Sequence, residues 1–343
     1  MTNNNTYKIP FATLTILLLI CFVANISLGS VHIPLKDVVN TLIGHGAEQE
    51  TWQHIVLNYR LPKAVTAILV GSGLGISGLL MQTLFRNPLA GPFVLGISSG
   101  ASLGVALVIL GSGIFGSAVA VLLVSKWSIV IAASLGSFLV LLAVLVASAK
   151  VRDTMALLII GLMFSSLTTA IVSILSYFGS AEQLQQYVFW GFGSLGSLSW
   201  QELLVLFSMY CIGLGLGIFS IKALDTLLLG ENYAKSLGLN IKKSRLYIII
   251  ATSLLAGTIT AFAGPIAFIG LAIPHLTRQI FNTSNHKILL PAVFLFGAII
   301  MLVCDSIAQV PNNDLTLPIN AITALIGAPV VIWLLVKKRN MIF

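Results

Sequence analysis

Gly73, Gly75 and Gly78 stand at the spacing G-x-G-x-x-G, which wraps a dinucleotide pyrophosphate where a strand precedes it and a helix follows. Here no strand precedes them, and Leu, Ile and Val flank them in a run long enough to cross a bilayer. The same glycines then read as places where helices approach closely. Gly71 with Gly75, Gly100 with Gly104 and Gly213 with Gly217 repeat that four-residue spacing. The phosphate-cradling G-x-x-x-x-G-K-[ST] is absent, as are H-E-x-x-H, G-x-S-x-G and paired carboxylates within one helix. Neither nucleotide binding through such a loop nor intramembrane hydrolysis has a residue set, and no cofactor or metal is expected in this chain.

Ion-coupled transporters keep ionisable groups at mid-span. Two candidates stand here. Asp305, near the outer end of an apolar run, reads as a hydrated carboxylate, with a proton relay as the alternative. His275, beside Pro274, reads as a hydrogen-bonded structural residue. Cys21, Cys211 and Cys304 sit in separate apolar runs without metal-ligand spacing and read as buried thiols.

The elements that must position these residues follow from composition. Of 343 residues, 57% are hydrophobic and 8% charged, with a mean hydropathy of +1.03. No soluble core hides that much apolar side chain, and at about 20 residues per crossing the chain supplies on the order of ten spans. Its 30 glycines suit membrane helices. The formal charge of +8 is scattered over short connections without an aromatic-interleaved patch, so membrane topology explains it better than nucleic acid does.

Apolar runs lie near 10–29, 63–83, 92–112, 127–147, 155–178, 200–220, 246–264, 265–281, 288–308 and 317–336. The first follows Lys8 without a convincing cleavage site and reads as a retained span. Leu246 to Ile280 is too long for one crossing, and Gly264-Pro265 breaks its helical ladder into two. With the amino terminus inside, fourteen basic residues fall on the cytoplasmic side and only Lys36, Arg60, Lys63 and Lys126 outside. Ten spans also return the Lys337-Lys338-Arg339 tail to the starting side, so both termini are expected in the cytoplasm. The whole chain, 1–343, reads as one all-α membrane domain.

Between the first two spans, Leu35, Val38, Val39, Leu42 and Ile43 recur at helical spacing and predict a short amphipathic helix on the outer surface. Gly179 to Ser199, with Tyr187, Phe189, Trp190 and Trp200, predicts a second short helix at the outer interface. The inner connection Ile221 to Ser244 is the most charged internal segment. At the end of the second span, Gln82-Thr83-Leu84-Phe85-Arg86-Asn87-Pro88-Leu89-Ala90-Gly91-Pro92 predicts a proline-forced inner turn, followed by Leu95-Gly96-Ile97-Ser98-Ser99-Gly100-Ala101.

The combination resembles a known family. Arg60-Leu61-Pro62-Lys63, the Gln82 to Ala101 block with Asn87, Pro88 and Gly96, Gly264-Pro265 through Leu271 with Pro274-His275 and Arg278, and Leu317-Pro318 through Gly327-Ala328-Pro329 closely resemble FecCD permeases. The likeness runs in order from about residue 10 to 338. Members of that family are permease subunits of ATP-binding cassette importers for iron chelates, haem and cobalamin. The resemblance implies a cobalamin-permease-like fold of about ten transmembrane helices and a dimer around one pathway, a homodimer being expected and a pair of related permeases the alternative. It also implies a cytosolic ATPase dimer that binds ATP and Mg, and a periplasmic or tethered substrate-binding protein.

The resemblance also assigns roles. Within the coupling segment 221–244, Leu229, Gly230, Glu231, Ala234, Leu237 and Gly238 match the part that sits in a cleft of the ATPase. Ala234 and Leu237 are expected to give an apolar contact, Glu231 and Lys235 to pair at i,i+4, and Gly238 to end a helix. Arg60 and Lys63, against the positive-inside pattern, match basic residues that dock the binding protein; an interface anchor is the alternative. Gln309 replaces the basic residue usual at its position. Thr154 matches a polar position at the inner gate, Met155 departs from the pattern, and Gly191 and Gly193 with the fifth span border the pathway. The expected activity is import of a ferric-siderophore-type chelate across the inner membrane of a bacterium, with haem or cobalamin as alternatives. An ion-coupled secondary transporter is the rival from another class.

Overall fold

The computed structural model describes residues 7–111, 125–150, 154–196, 198–310 and 315–337; side chains at 148–150, 154–155, 334–335 and 337 are outside that description. Among the described residues all regular structure is helical. Helix α1 is Lys8–Ser27, α2 Leu35–Ile43 and α3 Glu50–Ile55. A π-turn, Val56–Arg60, joins α3 to α4, Leu61–Leu84. A 3₁₀ turn, Pro92–Leu95, leads into α5, Ile97–Ile109. Then come α6 Lys126–Lys150, α7 Thr154–Phe178, α8 Ala181–Gly191, α9 Trp200–Phe219, α10 Ile221–Leu227 and α11 Glu231–Ser236. Helices α12 Ile241–Ala263, α13 Ile269–Phe281, α14 His286–Ala308 and α15 Ile319–Lys337 complete the chain.

Each of the ten apolar runs coincides with one helix: α1, α4, α5, α6, α7, α9, α12, α13, α14 and α15. Among the described residues seven helices are, by length and composition, able to cross a membrane. The run near 92–112 is shortened because Pro92–Leu95 forms a 3₁₀ turn, and that near 265–281 because Gly264 to Phe268 is irregular. Irregular backbone is tolerated at such depth only inside protein, since lipid supplies no hydrogen bonds. The structure meets that condition. Ile266 is buried, the Ala267 N–H donates to Asn320 Oδ1 at 3.0 Å, and the Ser194 N–H donates to the Ala263 carbonyl at 2.9 Å. Gly264 takes φ +77°, a conformation that strains any other residue.

Helix α4 is the centre of the bundle, buried along most of its length and enclosed by α9, α12, α13 and α14. Small residues make this possible. A Cβ on Gly78 would overlap the Gly270 carbonyl, and one on Gly71 the Gly297 carbonyl; Gly100 and Gly136 meet in the same way between α5 and α6. The glycines of the apparent dinucleotide fingerprint are therefore packing positions, as dispersion-driven helix association in lipid requires. The outward faces stay apolar: α7 exposes Ile159, Leu162, Met163, Leu167 and Ile174. Cys304 is buried and Cys21 half-buried, but Cys211 lies exposed on the outward face of α9, which corrects the expectation that all three are buried.

The two short outer helices form where expected. Helix α2 buries Val38 but leaves Leu35, Val39 and Ile43 exposed. Helix α8 starts with a capping box, in which Ser180 accepts from the Gln183 backbone and the Gln183 side chain returns the bond.

Candidate functional site: an exposed face on α10 and α11 and a polar ring at the far end of α4

The inner face is built on α10 and α11. The cap of α11 follows from sequence: Gly238 takes φ +83°, its N–H donates to Lys235 O at 2.9 Å, and the Leu239 N–H reaches Ala234 O at 3.0 Å. Gly238 ends this helix as expected. Leu229 and Leu237 are each 60% exposed and Tyr233 56%, so three large apolar side chains of this segment are left uncovered. Ala234 is fully buried instead. That corrects its expected contact role: it seats α11 on the bundle. Glu231 binds Arg245 of α12 at 3.0 Å, which also replaces the expected pairing with Lys235. A cavity of about 620 Å³ opens here among Arg86, Leu229, Gly230, Glu231, Asn232 and Tyr233.

Beneath this face a polar chain enters the bundle. Asp225 of α10 accepts at Oδ1 from the His286 backbone N–H at 3.0 Å and from its Nδ1 at 2.6 Å. A carboxylate only accepts, so Nδ1 carries a proton; Nε2 lies 2.8 Å from Thr83 Oγ1, whose hydroxyl donates to the Leu79 carbonyl at 2.9 Å. Arg278 donates to Thr83 Oγ1 at 3.2 Å and to Gln82 Oε1 at 3.3 Å, while Gln82 Nε2 donates to Leu271 O at 3.0 Å. Gln82, Thr83 and His286 are fully buried. Burial opposes ionisation of Asp225, but the hydrogen bonds from His286 outweigh it and hold the carboxyl below its ordinary range. The α10–α11 segment is thereby tied to α4, α13 and α14 at once. Sequence reasoning singled out Gln82 and Arg278 but missed Asp225 and His286. The available signal was an acid within the inner connection and a histidine opening a span, with nothing to say that they meet.

The neighbouring motif residues build the turn out of α4. Asn87 Oδ1 accepts from the Leu89 N–H at 2.9 Å ahead of the bend that contains Pro88, and Gly96 takes φ +75° close to Val140 and Ser165. Pro274 is buried within α13, with His275 half-buried after it.

At the opposite end of α4, the basic residues turn inward. Arg60 is 8% exposed; its Nη1 donates to the carbonyls of Ile26 and Ser27, both at 2.9 Å, and its Nη2 to that of Val31. It caps the last two carbonyls of α1, those of Ile26 and Ser27. Gly29 leaves room for the guanidinium, since a Cβ there would lie 2.7 Å from Nη2. Lys63 binds Asp305 at 3.2 Å, and Lys126 binds Glu202 at 2.6 Å. Three of the four basic residues that break the charge rule thus have internal partners. The expectation of an outward-facing Arg60 charge is corrected accordingly, and Lys63 keeps only a partly open side chain.

Asp305 is 2% exposed and so is not the hydrated carboxylate expected. Besides Lys63 it accepts from Asn25 Nδ2 at 2.9 Å and Gln309 Nε2 at 2.8 Å, which gives Gln309 a neutral role where the family pattern has a base. Beside this ring lies a cavity of about 400 Å³ that includes Lys63, Asp305, Phe189, Phe192 and Gly193.

The segment after α8 is stitched to the α12–α13 break. Gly193 has φ +71° and packs on Gly264, while the Asn320 N–H donates to Phe192 O at 3.1 Å. Gly191 ends α8 with open space around it. The side chains of Thr154 and Met155 lie outside the described residues. Among the described residues no cluster of metal-ligating side chains occurs.

These features have close parallels. The FecCD transport family matches residues 17–337. The hemin transport system permease protein HmuU of Yersinia pestis is 34% identical over 334 residues, covering 97% of this chain and 97% of HmuU. The vitamin B12 import system permease protein BtuC of Klebsiella pneumoniae is 34% identical over 328 residues, covering 95% and 93% of the two chains. A solved structure assigned to the metal-chelate type of ABC transporter, in an inward-facing conformation, superposes with a TM-score of 0.81 at 32% identity, covering 97% of this chain and all of that one. With both the sequence and the helical frame matched almost end to end, the chain belongs to the FecCD transport family of ABC importer permeases.

Proposed function

We propose that this chain is the translocating subunit of an importer for a bulky ferric chelate of the siderophore type, driven by a separate cytosolic ATPase dimer that holds ATP and Mg. The observation that carries the reading is the inner face: exposed Leu229, Tyr233 and Leu237 on a segment anchored through Glu231–Arg245 and Asp225–His286. An apolar surface on a polar-anchored elbow suits a cleft in a moving partner. ATP-driven movement of that partner shifts the coupling segments, and the joint carries the shift into α4, α13 and α14, exchanging outward for inward access.

Two copies enclose one pathway, and a periplasmic or tethered binding protein supplies affinity and selection. The bilayer is the inner membrane of a bacterium, with both termini cytoplasmic. Haem or cobalamin import by the same mechanism is the second reading, favoured by the names of the relatives HmuU and BtuC. Uptake of radiolabelled ferric chelates, haem and cobalamin in a deletion strain separates the two. Concentrative uptake by the purified chain alone, tracking a proton or sodium gradient, overturns both.

A further inference from the structure

A third cavity, of about 260 Å³, lies between α5, α7, α8 and the α12–α13 break, apart from the inner face and the outer ring. Ser98, Ser99, Ser102, Thr168, Thr169 and Tyr187 line it together with Val172 and Pro265. Six of these eight residues carry hydroxyls, and none is charged. Hydroxyls in membrane helices are usually absorbed by the carbonyl a turn earlier, as Thr66, Thr260 and Thr277 are here. The cavity differs. Thr168 and Thr169 donate to Ser165 O at 2.9 and 2.8 Å but keep free lone pairs, and Ser102 bonds the Tyr187 hydroxyl across two helices. Ser98 and Ser99 have no hydrogen-bond partner among the described residues and are half-buried, so their hydroxyls remain to be satisfied.

The space is smaller than the roughly 300–1,000 Å³ of pockets that enclose a whole ligand, so it suits one edge of a larger molecule. An uncharged hydroxyl lining exchanges hydrogen bonds with water for hydrogen bonds with a guest at small net gain. That recognises a passing group without trapping it, as a pathway requires. Part of the lining, Thr168, Thr169 and Val172, comes from α7, and Tyr187 of α8 precedes the Gly191–Gly193 segment; α7 and that segment are both expected to border the route. We propose that this hydroxyl pocket is a cargo subsite that takes an oxygen-bearing edge group, such as a hydroxamate, catecholate or amide oxygen, of an organic metal chelate during passage. The inference rests on the importer reading above.

The test uses proteoliposomes holding the full importer, with ferric tris-hydroxamate, ferric tris-catecholate, haem and cobalamin as cargoes. It measures molecules moved per ATP hydrolysed. A Ser98→Ala/Ser99→Ala double variant and Thr169→Val are expected to lower that ratio about five- to tenfold for the oxygen-edged chelates, the effect of one or two weak hydrogen bonds. ATPase rate and assembly should stay within about twofold, and Thr169→Ser should restore the ratio, because it returns the hydroxyl. An unchanged ratio in both variants overturns the subsite, as does an equal loss in Thr169→Ser or a ratio that falls only as assembly fails. If the wild type moves none of the four cargoes, the importer reading falls and takes the subsite with it; wild-type transport with unaffected variants sinks the subsite alone.

Discussion

The joint between Asp225 and His286 allows a worked perturbation. Asp225→Ala removes the acceptor for both the His286 ring proton and its backbone N–H, at 2.6 and 3.0 Å. Each orphaned donor costs about 1–3 kcal/mol when sealed from water. The Asp225 side chain is 37% exposed, so water reaches one side of the joint, and a combined cost of about 2 kcal/mol is the better figure. At 1.4 kcal/mol per decade, that tilts the seating of α10 against α14 by roughly thirtyfold. In the proposed reading the ATPase cleft takes α11, whose base on Ala234 and Arg245 is untouched by this change, so the partner should still assemble and hydrolyse ATP. Transport should not follow hydrolysis. In proteoliposomes, uptake per ATP is expected to fall about tenfold or more. Asp225→Asn keeps an oxygen that accepts from the same donors and should stay within about threefold of wild type. A double-mutant cycle with His286→Ala should return about 1–2 kcal/mol of coupling in thermal stability. Wild-type uptake per ATP in Asp225→Ala, or ATPase binding lost in proportion to uptake, refutes the reasoning.

Leu237→Asp places a charge on the exposed apolar surface and should weaken ATPase assembly and abolish transport while membrane insertion stays intact, measured by co-purification and uptake. Lys63→Met leaves Asp305 buried without its cation and should destabilise the bundle by about 3 kcal/mol in a detergent melt, and adding Asp305→Asn should recover most of that loss. Gly78→Leu forces a side chain into the Gly270 carbonyl and should cost more than about 3 kcal/mol, leaving little folded protein on size exclusion, whereas Gly191→Ala, in open space, should be neutral. Because the Asp225 carboxyl is held below its ordinary value, its contribution to stability is complete above the unfolded value of about pH 4 and is lost only as pH falls through its lower folded value. The stability difference between wild type and Asp225→Asn should accordingly be flat from neutral pH down to about 4 and shrink below it.

Much of the frame is legible in the chain itself. Lipid leaves backbone groups no partner but their own helix, so every long apolar run must become one, and all ten runs did. Gly264-Pro265 marks its break for local reasons, since proline lacks an N–H and Gly264 takes a positive φ. The amphipathic α2, the capped α8 and the glycine-ended α11 are local in the same sense. Tertiary structure alone decided what the charged residues do. Arg60 reads from sequence as an outward charge because nothing nearby shows the end of α1 folding back onto it. Asp305 reads as hydrated until α1 and α4 bring Asn25 and Lys63 to it. Glu231 had a local candidate in Lys235, but α11 rests on α12, where Arg245 lies 3.0 Å away. Helices in lipid are specified by neighbours along the chain, whereas a buried charge is specified by whichever distant residue the packing brings within hydrogen-bond reach, and that distance is absent from the linear order of residues.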